Sequence, residues 1–205
     1  LVTVPLRRYR PKRLTKPLIR GAQTAFVRGA PGQAIDVDEA GRVEVEFRWD
    51  RRDSRRGGAL RRVRIGQPWA GAAYGLSAVP RVGDEVIVSF LEGDPDHPLV
   101  VGNVQNGAAP GPLTYPSQRA HTVLRTQSTP DSEGYNELRL VDDAGAELVH
   151  MRAQRDMESV TLNDSRRFVG ANDRQRIEKD QEVVVMGQQK CVVTQGGSRL
   201  SKSDD

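Results

Sequence analysis

GQPWAGAAYGLSAVPRVGDEVIVSFLEGDPDHP, residues 66–98, holds the pattern on which the fold turns. Its second half alternates, with Val86, Val88 and Phe90 on one face and Glu85, Ile87 and Ser89 on the other, the period-two signature of a strand half-buried in a sheet. Pro80 to Asp84 ahead of it and Glu92 to Asp96 behind it supply the Gly, Pro and Asp of turns, so the strand is short and sharply bounded. Trp69, large and apolar with one N–H to satisfy, precedes it. The stretch predicts the middle of a small, tightly turned β-domain.

Working outward, Ala25 to Val27 forms a first β-run, followed by a Gly-Ala-Pro-Gly turn. Val43, Val45 and Phe47 then alternate with Glu44, Glu46 and Arg48, a second strand reading as far as Asp50. Val63 and Ile65 alternate with Arg62 and Arg64, and Leu99 to Val104 is a short apolar run closed by Gln-Asn-Gly. Four or five short strands over residues 21–107 predict an all-β domain, a five-stranded OB-type barrel. Its expected core is Val43, Val45, Phe47, Val86, Val88 and Phe90. Trp69 and Tyr74 are expected to serve packing or an interface.

At 205 residues with 37% apolar and 5% aromatic content, the chain suits two small modules better than one large core. The single cysteine, Cys191, excludes an intrachain disulfide and is expected to be a small buried or half-buried residue. No run of about 18 apolar residues exists, and no apolar stretch follows the basic N-terminus, so neither a membrane span nor a signal peptide is expected. Charge is unevenly spread. Residues 1–67 carry 17 Lys and Arg against 7 Asp and Glu, whereas the remainder carries 14 against 20. Residues 1–20, with three prolines and seven basic residues, read as an extended lead-in.

Residues 108–117, AAPGPLTYPS, mark a change of composition, and residues 108–135 read as a linker or neck. Residues 136–140 and 147–151 then read as strands around an Asp-Asp-Ala-Gly turn. Beyond them Val169, Ile177, Val185 and Val193 recur at a spacing of eight, which is no helical heptad. One or two apolar residues per octad cannot enclose a core within one chain, because the buried area would not offset the ordering of the rest. Three chains wound about one axis could stack these four positions into a shared stalk core over residues 136–205. A run of ordinary exposed hairpins would show the same period.

Few residues invite chemistry. Asp94, Asp96 and His97 sit close together, but Pro95 and Pro98 make the segment a turn and no further His or Cys cluster accompanies it. His121 and His150 stand without a nucleophile motif, and Glu92 with Asp94 reads as solvated turn acids rather than a glycosidase pair. No catalytic, metal or cofactor-binding residue is expected. A rival from another class is an OB module for single-stranded nucleic acid, with Arg51, Arg52, Arg55, Arg56, Arg61, Arg62 and Arg64 meeting phosphates. Only four Phe, four Tyr and two Trp in the chain weaken it, since bases need exposed rings to stack on.

Several motifs in order carry a resemblance: Gly41-Arg42-Val43 through Phe47-Arg48-Trp49-Asp50, Gln67-Pro68-Trp69-Ala70-Gly71, Tyr74-Gly75, Pro80-Arg81-Val82-Gly83-Asp84-Glu85-Val86, Phe90-Leu91-Glu92-Gly93-Asp94-Pro95-Asp96-His97-Pro98 and Val104-Gln105-Asn106-Gly107. With Ser128-Thr129-Pro130 and Asn136-Glu137-Leu138-Arg139, the chain resembles VgrG, the spike protein of the type VI secretion system, related to the needle of contractile phage tails. The resemblance implies a homotrimer: an OB barrel per subunit, then an intertwined triple-stranded β-helix, with a hub domain before residue 1 and more stalk after residue 205. It implies a structural, membrane-puncturing role, capping a tube of Hcp rings, with a PAAR-type tip protein and effectors carried by other parts. It implies a bacterial cytoplasmic location before firing and secretion without a signal peptide, transient membrane contact, no nucleic acid and no cofactor. The phage needle's lysozyme domain is replaced here by the proline-rich linker, so hydrolysis of peptidoglycan is not expected.

Overall fold

The alternating segments pair as a closed barrel. The computed structural model describes residues 11–50, 61–130 and 132–194. Strands β1 (Gln23–Arg28), β2 (Arg42–Phe47) and β3 (Arg61–Ile65) come first; a hairpin of β4 (Trp69–Gly71) and β5 (Tyr74–Leu76) follows; β6 (Glu85–Phe90) and β7 (Pro98–Val104) complete the set. The barrel order is β1-β2-β3-β7-β6, antiparallel throughout except for the parallel β3–β7 pair. This is the five-stranded OB-type barrel that the alternation predicts.

Its core is small and built largely of valine. Ala25, Val27, Val43, Val45, Val63, Val86, Val88, Phe90 and Val100 are buried. Phe47 is half-buried against them, stacking on Phe90 at 5.8 Å and on Trp49 at 5.1 Å. Between β6 and β7 the register shifts after Ile87, so that Val88 faces Val100 while Val101 is left exposed. One extra residue in β7 thus keeps both partners of the Val88–Val100 pair on the inner face.

Strand β2 ends at Phe47, where the Asp50 N–H turns back to the Phe47 carbonyl, rather than running on to Asp50. The arginine-rich loop at residues 51–56 lies outside the described residues. The lead-in at residues 11–20 carries no regular element, yet it is tied to the barrel. The Ile19 N–H donates to the Gly93 carbonyl at 2.8 Å, and Lys16 meets both Asp94 and Asp96.

Glu85 reads from the sequence as an outward partner of Val86, but the structure buries it. Its carboxylate accepts from Arg48 and from the Asn106 amide, both at 2.7 Å, joining the start of β6 to the end of β2 and to the turn after β7. Arg48 first, then Asn106, hold its carboxyl below the ordinary value. A depressed folded pKa contributes stability that is present above the unfolded value of about 4.3 and lost as pH falls through the folded one. Asp94 and Asp96, held down by Lys16, carry the same sign. The thermal midpoint is therefore expected to be flat from pH 7 to 5 and to fall on acidification below about pH 4. A midpoint unchanged at pH 3 would contradict this assignment.

Past the barrel, β8 (His121–Arg125), β9 (Glu137–Val141) and β10 (Leu148–Arg152) form a second antiparallel sheet in the order β10-β9-β8. The chain divides into two compact units, Leu1–Met157 and Glu158–Asp205. Among the described residues of the second unit, none lies in a strand or helix and none is buried.

Candidate assembly surface

Residues directly opposite one another in an antiparallel ladder share a face. Leu124 pairs with Leu138, Leu138 with Met151, and Leu140 with Val149. One face of the β8–β10 sheet therefore carries Leu124, Leu138, Leu140, Val149 and Met151 beside Thr122, and all five apolar residues are exposed in the single chain. Five large apolar side chains on one side of a three-stranded sheet form a contiguous patch of the kind soluble monomers rarely leave uncovered.

The opposite face is bound by charge. The Glu137 side chain, 1% exposed, accepts from Arg139 at 2.7 Å and from Arg125. Tyr135 lies between two guanidinium groups, 4.4 Å from Arg125 and 3.8 Å from Arg152. Burial pushes the Glu137 carboxyl up, but Arg125 and Arg139 outweigh it and hold it below its ordinary value. Replacing Glu137 with Ala leaves Arg125 and Arg139 facing each other without an acid. The expected result is a thermal midpoint lowered by several degrees, with Glu137→Gln recovering part of the loss. Equal midpoints for wild type and Glu137→Ala would show that the cluster contributes nothing.

His121 belongs to the same sheet, its Nε2 3.2 Å from an Asp143 carboxylate oxygen, so it ties β8 to the turn between β9 and β10. His150 sits opposite Arg139 in the ladder. Asp94, Asp96 and His97 do come together, with His97 Nδ1 3.2 Å from Asp94, but Lys16 occupies the two aspartates. Among the described residues no group of three or more His, Cys, Asp or Glu side chains is placed to hold a metal ion. Arg62 pairs with Asp36 at 2.8 Å and Glu44 at 3.3 Å, and Arg61 approaches Asp96 at 3.5 Å, so much of the described basic stretch meets acids of the chain itself. Arg51, Arg52, Arg55 and Arg56 lie outside the described residues.

Trp69 and Tyr74 stand opposite ends of the β4–β5 hairpin, 64% and 62% exposed. Val169, Ile177, Val185 and Val193 are all exposed in the single chain, the first three at 40%, 42% and 45%. Cys191, expected to be buried or half-buried, is exposed, because none of the described residues covers it.

Two family descriptions match in tandem. Residues 28–104 match the type VI secretion system/phage-baseplate injector OB domain, and residues 122–200 match the bacteriophage T4 gp5 C-terminal trimerisation domain. The chain is 44% identical over 155 residues to the type VI secretion system spike protein VgrG4b of Pseudomonas aeruginosa. It belongs to the VgrG family. The VgrG4b match covers 76% of this chain and 19% of that relative. The actin cross-linking toxin VgrG1 of Vibrio cholerae is 40% identical over 174 residues, covering 85% of this chain and 16% of the relative. Spike protein VgrG3 of Vibrio cholerae is 42% identical over 156 residues, 76% of this chain and 15% of the relative. The chain thus spans about a fifth of the length of the VgrG proteins it matches. Both matching family descriptions name structural modules, an injector OB domain and a trimerisation domain, and the chain's part in a VgrG protein is structural rather than catalytic. No helix of the described residues is long and apolar enough to cross a membrane.

Proposed function

We propose that this chain is the barrel and stalk segment of a homotrimeric type VI spike. The observation that carries the reading is the exposure of large apolar residues among the described part of 122–200, the stretch matched by a trimerisation family. The apolar sheet face and the octad residues Val169, Ile177, Val185 and Val193 are all exposed in one chain. Backbone N–H and C=O groups also need partners, and the extended chain of 158–194 forms no strand ladder of its own. Two further copies supply both needs, stacking the octad residues at a shared axis and pairing the backbones as an intertwined β-helix. Such a stalk has no free sheet edge along its length, which makes local opening costly and the needle stiff.

In that assembly the spike caps the Hcp tube, and sheath contraction drives it against a membrane with the tip protein and effectors it carries. The work is mechanical, the protein starts in the bacterial cytoplasm, and export proceeds through the apparatus. The solution mass of the full 205-residue chain, measured by light scattering across dilution, tests the reading. Three times 22.6 kDa is the expected value. A folded monomer at every concentration would overturn it. A low-salt titration with a labelled single-stranded oligonucleotide is expected to show no binding; salt-sensitive binding lost on replacing Arg51, Arg52, Arg55 and Arg56 would move the assignment to a nucleic-acid module.

A further inference from the structure

The β4–β5 hairpin is unlike the rest of the surface. No charged residue lies between Arg64 and Arg81, in a chain that is 28% Asp, Glu, Lys and Arg. Yet residues 68–78 are exposed without a break. An uncharged, exposed arm is poorly matched to water and well matched to an interface.

The arm is also built to one shape. Trp69 pairs with Leu76 and Gly71 with Tyr74, so the three large side chains share a face, while Ala70 and Gly75 leave the other almost bare. The Tyr74 ring lies across Gly71, where a Cβ would come within 2.2 Å of it. Gly75, at φ +141°, sits where a Cβ would meet the Trp69 carbonyl at 2.5 Å. At the base, the Gln67 side chain donates to the Ala78 carbonyl at 3.0 Å and accepts from its N–H at 3.2 Å. Such an arm loses little freedom on docking.

A complementary surface exists on the same barrel. Ile19, Phe47, Trp49, Phe90, Pro95 and Pro98 line a groove of about 420 Å³, with Asp50, Arg61 and Asp96 among its other lining residues. Its aromatic floor is the Phe47–Trp49–Phe90 stack, and the Trp49 Nε1 donates to Gln23 at 2.7 Å. None of Trp69, Tyr74 and Leu76 lines this groove, and all three are exposed in the single chain, so the arm does not fill the groove of its own barrel.

We infer that the Trp69–Tyr74–Leu76 face of the arm docks into the Phe47–Trp49–Phe90 groove of a second copy of this chain. The inference rests on the trimeric reading above, since the trimerisation match at residues 122–200 is what brings copies together. An arm and a groove that are different surfaces of one chain make a head-to-tail contact, which closes into a ring when the rotation fits. Three arms in three grooves would then lock the barrels into a collar.

The test uses the full chain with Cys191→Ser, Ala72→Cys at the arm's tip and Pro95→Cys in the groove, treated with a short bis-maleimide. The solution mass is measured before treatment and the covalent products after it. A threefold mass with covalent dimers and trimers, absent from either single-cysteine chain and lost when Trp69→Ala and Tyr74→Ala are added, is the expected result. A threefold mass without these products overturns the arm contact while leaving the trimer standing. A monomer overturns both.

Discussion

Replacing Leu138 and Leu140 together with aspartate is expected to turn a threefold-mass species into folded monomers. Both side chains lie in the middle strand of the β8–β10 sheet, on its apolar face. Covering a leucine contributes about 1.5–3 kcal/mol, and each chain offers five apolar side chains on this face. A carboxylate forced into that contact without a partner costs several kcal/mol, and threefold symmetry brings six of them toward one axis. The barrel core shares none of these residues, so its far-ultraviolet spectrum and melting should survive. Light scattering with parallel circular dichroism reads both quantities. A double variant that keeps the threefold mass would place the contact elsewhere, in the octads or the barrels.

Val86→Asp is the second large effect, and it acts on the other module. Val86 is fully buried, between Ala25 on β1 and Asn103 on β7 in the ladder. Among the described residues the core around it has nine buried apolar residues, with Phe90 the one buried aromatic. A domain of this kind holds about 5–15 kcal/mol in total, and an unpaired buried charge removes most of it. The expected outcome is loss of the barrel's cooperative melting. Val88→Ala, which opens a cavity without a charge, should cost about 2 kcal/mol and leave the fold intact. A Val86→Asp chain that melts at the wild-type temperature would mean that the valine stack is not the barrel's core.

The barrel was legible because its strands obey a strict period. Val43 and Val45 alternate with Arg42, Glu44 and Glu46, and Val86, Val88 and Phe90 with Glu85, Ile87 and Ser89, and a one-residue slip would turn each buried set to water. The β4–β5 hairpin was not legible: its strands are three residues each, made largely of Ala, Gly and aromatic residues, with no polar residue to mark an alternation. Strand β8 does alternate, with Thr122 and Leu124 on one face, but it follows the proline-rich stretch and so read as part of a linker. The alternation places Glu85 on the outer face, and nothing local marks Glu137 for burial. Their burial goes with Arg48, Arg125 and Arg139, and long-range pairing of that kind leaves no local signal. The octads showed their period plainly. In the proposed trimer what covers them belongs to other chains, and no single sequence displays a contact whose second half is its own copy.

The parallel β3–β7 pair has a consequence for how the molecule forms. It joins Arg64 to Leu99 and Ile65 to Val100, with the Gly66 N–H adding one more bond to the Val100 carbonyl, and it is the shortest ladder in the barrel. Every other barrel pair is antiparallel and longer. A ladder this short gives back little against the loop-closure entropy it must meet, so this seam is the natural last step of folding. It is also the natural first place to open, and hydrogen exchange should be fastest there among the barrel amides. In the proposed trimer this order acts as a clock: the seam shuts before the arm that follows β3 has a fixed direction to offer.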